Sequence, residues 1–584
     1  MGHKLLLSGV PIANLTMKRL WMIGASAISA ILVPGGTMLG LIAHYGVNVP
    51  FWDEWSLISF FQNAHDHALT LRDFLVQNNE HRVVFPKLIF LTLYQFGLWS
   101  PRVAMFFSLL LVVLTGAGLQ WLLWQTLRDK ASATVIGVSF FLTGLLLFSP
   151  CQFENWLWGY QLSCFLINLS LIAGVVVICL ELPHGIQLLL AATCAIVATF
   201  SGGNGMLLWP LLWSVNFLGR RDKTSPAFLI WSGAWLLLAV SATGLYFYDY
   251  RKPTGHPPLA ASHKFFDYPN YLLTFLGSPL GRRADTVSRT SAVVVGALLV
   301  AILALSVIAL RRRRNYDMLR ARAAPWIAIA GFAVLSACMA CIARIGFGLT
   351  QALESRYTTF SLLLPISLTP LIILFGSVFA ARRRFHLGLI YLGFFTIILA
   401  LFIMTLPFGI EMMRKVFQTR ARGHAALTFL TSIPEKQVLE TTVHPSLVYL
   451  NIFAPRADAL HLLHPPLIGP DALKQLLNST PVENRHCGTL DKIETSHDDT
   501  YRISGRTAKS HSKGSADCIV LFYTGRQTQH IALALGFPVA GHSEWNATVL
   551  RTTIHDTGAH EIEAWAFDIS RTHLCRLDGR LSFP

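Results

Sequence analysis

Long apolar runs recur through the first 409 residues and limit the possible folds more than any other feature. A membrane-spanning helix needs about 20 consecutive apolar residues, and about eleven runs approach that length. They cover roughly residues 21–43, 103–126, 131–149, 161–181, 187–201, 205–218, 226–248, 291–310, 324–343, 357–380 and 387–409. The pattern predicts an α-helical polytopic membrane protein with about 11 transmembrane helices over residues 1–409.

The composition excludes other classes of protein. Hydrophobic residues make up 53% of the 584-residue chain and charged residues 13%, about half the charged share of a soluble domain. The charge needed to keep a large surface in water is therefore missing. A soluble enzyme, a disordered chain and a disulfide scaffold are excluded as descriptions of the whole.

The distribution of basic residues predicts the orientation in the membrane. Net charge is +16, and cytoplasmic loops are enriched in Lys and Arg. The apolar run 85–98 is too short to span and is predicted to lie in the membrane interface. With that run left out, a cytoplasmic N-terminus places four basic clusters inside: Arg128 with Lys130, Arg220 with Arg221 and Lys223, Arg311 to Arg314, and Arg382 to Arg384. No basic–aromatic motif indicates nucleic acid.

The C-terminal region, residues 410–584, then lies outside the cytoplasm. Short alternating segments at 501–504, 518–523, 547–550 and 561–567 are typical of strands. They predict a mainly-β domain, a β-sandwich from about residue 486. Cys487, Cys518 and Cys575 lie in this region, and an oxidising compartment would allow one pair among them to form a disulfide.

The first outer loop contains two adjacent carboxylates, Asp53 and Glu54, between Trp52 and Trp55. Acidic residues close to hydrocarbon are costly and tend to be functional. One carboxylate could act as a general base toward a hydroxyl or amine. The alternative is an aromatic belt at the membrane surface with solvated acids.

Further candidates lie in the other outer loops. Arg82 and Lys87 flank the interfacial run, where they would meet a lipid phosphate or act as snorkelling anchors. Glu154, between aromatic residues that include Trp156 and Trp158, suits a sugar ring. An interface belt is the alternative for the aromatic residues, but it does not explain Glu154. Cationic residues that could clamp a phosphate are Arg282 and Arg283 in the loop 249–290, and Arg356 beside Tyr357, for which a local pair with Glu354 is the alternative.

These motifs together resemble the membrane glycosyltransferases of the GT-C type, which include protein O-mannosyltransferases and lipid A aminoarabinose transferases. Asp53-Glu54 occupies the place of that family's acidic motif in the first outer loop. Similar features follow at Glu80-His81-Arg82 through Pro86-Lys87, at Ser100-Pro101-Arg102 and at Arg356-Tyr357.

The resemblance implies a function: an inverting transfer of a sugar from a polyprenyl-phosphate donor to a cell-envelope acceptor, at the extracytoplasmic face of what would be a bacterial inner membrane. Asp53 would be the general base, and Glu54 or Glu154 would orient the acceptor. The leaving phosphate would be neutralised by cations among Arg82, Lys87, Arg282, Arg283 and Arg356. Sugar or lipid contacts fall to Trp52, Trp55, Trp156, Trp158 and Tyr357. No metal or other cofactor is predicted.

Two other functions compete with this one. The first is a transporter or flippase for a lipid-linked saccharide, although the apolar runs hold almost no charge and show no repeat. The second is a glycan-binding envelope assembly protein, which would need no carboxylate beside the first span. The readings differ in their response to Asp53→Asn, which only the enzyme should fail to tolerate.

Overall fold

The computed structural model describes residues 17–220, 222–262, 264–283, 288–312, 317–379, 384–479, 487–495, 499–507, 517–524, 530–539, 543–557, 561–569 and 571–583. Of the residues predicted above, Arg221, Arg313, Arg314, Arg382 and Arg383 lie outside these ranges. The side chains of Arg311, Arg312 and Arg384 are likewise not described.

Helices dominate the chain as far as residue 479. They are α1 (Met17–Tyr45), α2 (Ser56–His65), α3 (Leu71–Leu75), α4 (Val84–Gln95), α5 (Pro101–Leu127), α6 (Ala133–Leu147), α7 (Phe153–Trp156), α8 (Leu162–Cys179), α9 (His184–Thr199), α10 (Leu208–Gly219), α11 (Pro226–Phe247), α12 (Asp267–Gly281), α13 (Ser288–Arg312), α14 (Asp317–Arg344), α15 (Thr358–Ser361), α16 (Leu363–Phe379), α17 (Arg384–Thr428), α18 (Lys436–Thr442), α19 (Leu447–Ala459) and α20 (Pro470–Ser479). Short 3₁₀ turns lie at Trp52–Trp55, Pro150–Gln152, Gly159–Gln161, Gly203–Leu207, Ile345–Phe347, Leu349–Leu353 and Ser355–Tyr357.

Nine helical segments of the described residues are long and apolar enough to cross a membrane. They are Arg19–Tyr45, Pro101–Leu127, Ala133–Trp156, Gly159–Cys179, Pro226–Phe247, Ser288–Leu310, Asp317–Phe347, Ser355–Gly376 and Gly388–Thr428. The remaining two predicted spans, 187–201 and 205–218, correspond to α9 and α10, which have 16 and 12 residues. At 1.5 Å per residue each is shorter than the hydrocarbon core. The interfacial run is α4, a 12-residue helix.

Contacts between loops define one end of this helix bundle. The Arg19 Nη2 atom donates to the carbonyls of Arg128 and Ala131 at 3.1 and 3.0 Å. Arg322 donates to Asp129 at 2.6 Å, and the buried guanidinium lowers the pKa of that carboxyl despite partial burial. The start of α1, the α5–α6 turn and the start of α14 therefore lie at the same end.

The described residues divide into two compact units. One comprises the described residues within Met1–Gly46, Thr70–Leu98 and Val103–Arg414, and the other comprises those within Val47–Leu69, Trp99–Arg102 and Lys415–Pro584. The 45-residue helix α17 continues through residue 409, the predicted end of the membrane domain, although Pro407 lies inside it. The loop that carries Asp53 thus belongs to the same unit as the C-terminal region.

The C-terminal strands form one antiparallel sheet. The strands are β1 (Gly488–Thr495), β2 (Thr500–Thr507), β3 (Cys518–Thr524), β4 (His530–Pro538), β5 (Glu544–Leu550), β6 (Glu561–Asp568), β7 (His573–Arg576) and β8 (Leu581–Ser582), with helix α21 (Arg551–Thr557) after β5. Their order is β1-β2-β5-β4-β3-β6-β7, and β8 pairs with β6.

This sheet is a half-barrel, whereas the sequence predicted a β-sandwich. Strand β4 pairs with β3 along most of its length and with β5 at its end, so it joins the two halves that a sandwich would separate. A single core, with fully buried Trp545 at its centre, fills the curl. A disulfide between Cys487 and Cys575 connects the two edges, and Cys518 is a buried free thiol.

Candidate functional site

A buried polar network holds together two turns of the first unit, at residues 152–156 and 355–359. Asn155 Nδ2 donates to the Arg356 carbonyl at 3.0 Å and to Thr359 Oγ1 at 2.7 Å. The Thr359 hydroxyl donates in turn to Gln152 Oε1 at 2.7 Å. Because buried amides and hydroxyls are costly unless paired, this network fixes the backbone of Arg356.

The same two turns are joined a second time through Ser355. Its hydroxyl donates to the Cys151 carbonyl at 2.9 Å and accepts from the Glu154 backbone N–H at 3.3 Å. Glu154 is therefore held opposite the residue that precedes Arg356. The span Ser355–Gly376, whose most apolar stretch is 89% buried, begins at this point, so the two side chains stand on a rigid support.

Charges of both signs gather around Arg356. Its guanidinium interacts electrostatically with the carboxylates of Glu154 and Glu354. Arg282, just after α12, interacts with the same two carboxylates, while burial lowers its pKa. Arg282 also donates to the Leu353 carbonyl. The structure thus brings the predicted residues Glu154, Arg282 and Arg356 together.

Aromatic rings surround these guanidinium groups. Arg282 lies 5.6 Å from the centre of the Phe153 ring and 4.9 Å from that of Phe408. Tyr357 stacks on Phe275 with ring centres 4.9 Å apart. Cations over aromatic faces keep their charge in a partly dry site. The site therefore offers positive charge beside a carboxylate within an apolar lining.

A second charged group forms around Glu80. Its carboxylate pairs with Arg344 and lies 3.6 Å from ring nitrogens of both His81 and His256. The Gly203 backbone N–H donates to His81 Nδ1 at 3.3 Å, so the other nitrogen, Nε2, carries the proton that faces Glu80. Glu80 is therefore held by its neighbour His81, by His256 of the loop after α11 and by Arg344 at the end of α14.

His256 connects this group to the first. Burial lowers the pKa of His256, and the nearby charges of Lys252 and Arg356 lower it further. Arg344 likewise lies within electrostatic range of Arg356. His256 and Arg344, which both pair with Glu80, thus connect that group to Arg356, and Glu154 and Glu354 are the carboxylates that interact with Arg356 itself.

Three predicted cations have other partners. Arg82 is buried and donates from Nε to the Tyr246 carbonyl at 2.6 Å and from its other nitrogens to the carbonyls of Leu75 and Tyr248. Lys87 donates to the Asp73 carbonyl at 2.7 Å. Arg283 contacts Met404 Sδ at 3.7 Å. These contacts favour a structural role for Arg82, whose donors hold three backbone segments together.

The predicted aromatic contacts of the second outer loop are interior. Trp156 is fully buried, stacks on Phe165 with ring centres 4.7 Å apart, and donates to the Ser149 carbonyl at 3.0 Å. Trp158 is 4% exposed. Both rings pack within the protein and support the turn that carries Glu154.

The two adjacent carboxylates of the predicted first outer loop, Asp53 and Glu54, have different surroundings in the second unit. Glu54 is buried and accepts from the Phe51 backbone N–H at 2.9 Å, which closes the 3₁₀ turn. Trp55 is fully buried. Asp53 is half-buried and interacts electrostatically with His444 and Tyr449. Of the two carboxylates, Asp53 is the one directed toward a titratable neighbourhood.

Sequence reasoning missed Glu80, His256 and Arg344 as members of one cluster. Arg344 offered a signal, since it is the only charged residue between positions 323 and 353 and an ionisable residue bordering an apolar run indicates function. Its partner could not be inferred, because Glu80 lies more than 260 positions earlier in the chain. His263, which shares the loop 249–290 with His256, lies outside the described residues.

The described residues contain no group of three or more His, Cys, Asp or Glu side chains arranged to hold a metal ion. No known protein-family model, curated protein or solved structure matches the chain. Its fold defines a polytopic helical membrane protein with a C-terminal antiparallel β domain.

Proposed function

We propose that the protein is a membrane glycosyltransferase that moves a sugar from a polyprenyl-phosphate donor to a cell-envelope acceptor, with inversion. The observation that carries the proposal is the position of Arg356. Its backbone is fixed by a buried amide, and its guanidinium stands between carboxylates at the start of the most buried span. Such a group is suited to a lipid phosphate that arrives from the bilayer.

Arg356 and Arg282 would bind the donor phosphate. A planar guanidinium matches the geometry of phosphate oxygens and holds its charge at any physiological pH. Negative charge grows on the phosphate as its bond to the sugar breaks, so fixed cations stabilise the transition state more than the ground state. Glu154, which shares both cations, would orient the sugar or the acceptor.

The transfer is a single displacement. The acceptor oxygen or nitrogen forms a bond to the anomeric carbon while the bond from that carbon to the phosphate oxygen breaks. Polyprenyl phosphate leaves with the electron pair. The acceptor proton passes to a carboxylate, for which we propose Asp53.

The chemistry would occur outside the cytoplasm, with the N-terminus cytoplasmic and the C-terminal unit periplasmic. The bundle end marked by Arg19, Arg128 and Arg322 includes one of the basic clusters expected inside, Arg128 with Lys130. Counting or omitting the paired short helices α9 and α10 leaves this orientation unchanged, because a pair enters and leaves at the same side. We place the protein in a bacterial inner membrane because its sequence motifs resemble those of the GT-C glycosyltransferases.

The test measures turnover in purified, detergent-solubilised full-length protein. A panel of polyprenyl-phosphate sugars is supplied, and released polyprenyl phosphate is followed with and without acceptor extracts. Variants Arg356→Ala, Arg356→Lys and Asp53→Asn are compared with wild type. Arg251→Ala is the matched control, since the Arg251 side chain is 87% exposed in an outer loop.

We expect Arg356→Ala to lower turnover about 10²–10³-fold, the effect of removing one transition-state donor. Arg356→Lys should recover part of it, since the charge remains and the planar fork does not. Arg251→Ala should match wild type. Donor release that is equal in wild type, Arg356→Ala and Asp53→Asn would refute the proposal. Tight donor binding without release in any variant would favour a transporter.

A further inference from the structure

Trp52 combines two unusual properties. Its backbone adopts a left-handed conformation, with φ of +46°, and its large apolar side chain is 45% exposed. Bulky residues in this region are rare and strained, and such strain is concentrated at functional sites. The strained turn is held in place by the Trp52 backbone N–H, which donates to the Val443 carbonyl at 2.9 Å.

The surroundings of Trp52 within the second unit are aromatic and polar. Because Val443 directly precedes His444 in the chain, the bond to Val443 places the Trp52 backbone close to His444 in sequence terms. The neighbouring Asp53 carboxylate is within electrostatic range of His444 and Tyr449, whose rings stack with centres 4.5 Å apart. Tyr449 also stacks on Phe453, with ring centres 4.2 Å apart, so its ring supports His444. Trp52 thus offers an exposed apolar face next in sequence to the Asp53 carboxylate, which is in electrostatic range of His444.

The backbone of Ser446 positions the His444 ring. The Ser446 backbone N–H donates to His444 Nδ1 at 3.2 Å, and the Ser446 carbonyl lies 3.4 Å from the same nitrogen. Burial lowers the pKa of His444, although the contact with Ser446 and the Asp53 carboxylate oppose that shift. The area thus presents an imidazole and a carboxylate beside the exposed indole.

We infer that Trp52, Asp53 and His444 form a binding subsite for one sugar ring. The C–H face of a pyranose stacks on an indole, while its hydroxyl edge needs acceptors and donors of the kind that Asp53 and His444 supply. Ligand sites commonly combine apolar faces with a few placed polar groups. A bilayer contact would suit the indole but would leave the Asp53 carboxylate close to hydrocarbon at a cost.

The identity of this ring as part of the acceptor glycan rests on the proposed function; the binding of a sugar does not. If both hold, Asp53 receives the proton of a hydroxyl on the ring that Trp52 orients. The acceptor is then a carbohydrate, which excludes a protein side chain or the lipid A headgroup phosphate as the group bound here.

The experiment measures sugar binding directly, without donor or turnover. Methyl α-mannoside, methyl β-glucoside, methyl β-galactoside and methyl N-acetyl-β-glucosaminide are each added at about 10 mM, tenfold above a millimolar dissociation constant. Saturation-transfer difference NMR on the detergent-solubilised full-length protein detects the bound ring. The variants are Trp52→Ala, Trp52→Phe and Asp53→Asn, with Trp21→Ala as control because Trp21 is another exposed tryptophan, 74% accessible, on α1.

We expect at least one glycoside to bind wild type and the Trp21→Ala control equally. Trp52→Ala should weaken that binding about tenfold or more, Trp52→Phe should restore part of it, and Asp53→Asn should weaken it without abolishing the transfer to ring C–H protons. Equal signals in wild type and Trp52→Ala, or no binding of any glycoside, overturn the inference.

The two proposals fail differently. Donor turnover that depends on Arg356, with no glycoside binding at Trp52, would refute this subsite and leave the transferase intact. Glycoside binding that depends on Trp52, with no turnover of any donor, would refute the transferase and leave a glycan-binding protein.

Discussion

The left-handed backbone of Trp52 predicts an inverted order of stability for two substitutions. Trp52→Gly and Trp52→Ala both remove the indole, so the loss of side-chain packing cancels when the two are compared. The remaining difference in stability comes from the free energy of the backbone conformation. An L-residue in the left-handed region costs about 1–2 kcal/mol, a cost that glycine avoids.

The magnitude follows from two opposing terms. Glycine gains the 1–2 kcal/mol of relieved strain, and it loses about 0.4–1 kcal/mol because its unfolded chain has more freedom. The net expectation is that Trp52→Gly is more stable than Trp52→Ala by about 0.5–1 kcal/mol. At Gln475, exposed in the middle of α20, the order should reverse, with glycine about 1 kcal/mol less stable than alanine.

Cys518 provides the assay for this unit. Its thiol is free and fully buried in β3, so alkylation of the Cys518 peptide, followed by mass spectrometry at rising temperature, reports local unfolding. Each kcal/mol shifts the midpoint by about 2–4 °C in a domain of 150–250 residues. The reasoning fails if Trp52→Ala is more stable than Trp52→Gly while alanine is also more stable than glycine at Gln475. That result would show that Trp52 is not left-handed, and it would remove the strain argument for the sugar subsite.

Two further predictions concern other parts of the chain. Burial lowers the pKa of Lys87 from 10.5 to about 8, so the unfolded chain binds more protons than the folded one between pH 8 and 10.5; stability should rise with pH across that window, and the rise should be smaller in Lys87→Met when thermal midpoints at pH 8 and 10 are compared. Replacing Cys487 and Cys575 with Ser opens a loop of 88 residues and should lower the stability of the half-barrel by about 2–4 kcal/mol; Cys518 alkylation at an unchanged midpoint would contradict this.

The sequence predicted the long helices well because a membrane span is a local property. About 20 apolar residues in a row identify a span without knowledge of its neighbours, and Pro101–Leu127 or Pro226–Phe247 agree with the runs that predicted them. The short pair α9 and α10 was harder, since the glycine-rich turn at 201–205 shortens both helices below the membrane thickness. The curl of the sheet was not readable either, because strand alternation gives the buried face and not the closure.

The sequence did not distinguish functional from structural candidate residues where the role of a side chain depends on its burial. Glu54 and Asp53 are adjacent and chemically alike, yet Glu54 closes its own turn and Asp53 interacts electrostatically with His444. Arg82 and Arg356 are both single cations in outer loops, yet the donors of Arg82 are bonded to three carbonyls. Only the fold shows which polar groups already have internal partners.

The arrangement of charge around Arg356 places limits on the ligand. Glu154 and Glu354 share it with Arg282, and the positive charges of Arg344 and Lys252 extend the cluster toward Glu80. A strongly anionic ligand such as a diphosphate would meet the carboxylates of Glu154 and Glu354 as well as the cations, whereas a phosphodiester with one negative charge can bind a single guanidinium and leave the carboxylates to hydroxyl groups. A polyprenyl monophosphate sugar is a phosphodiester of this kind, because it has one negative charge and a sugar ring with hydroxyl groups attached to the phosphate. The carboxylates would then recognise the sugar while the guanidinium groups hold the phosphate, and the transfer would require both at once.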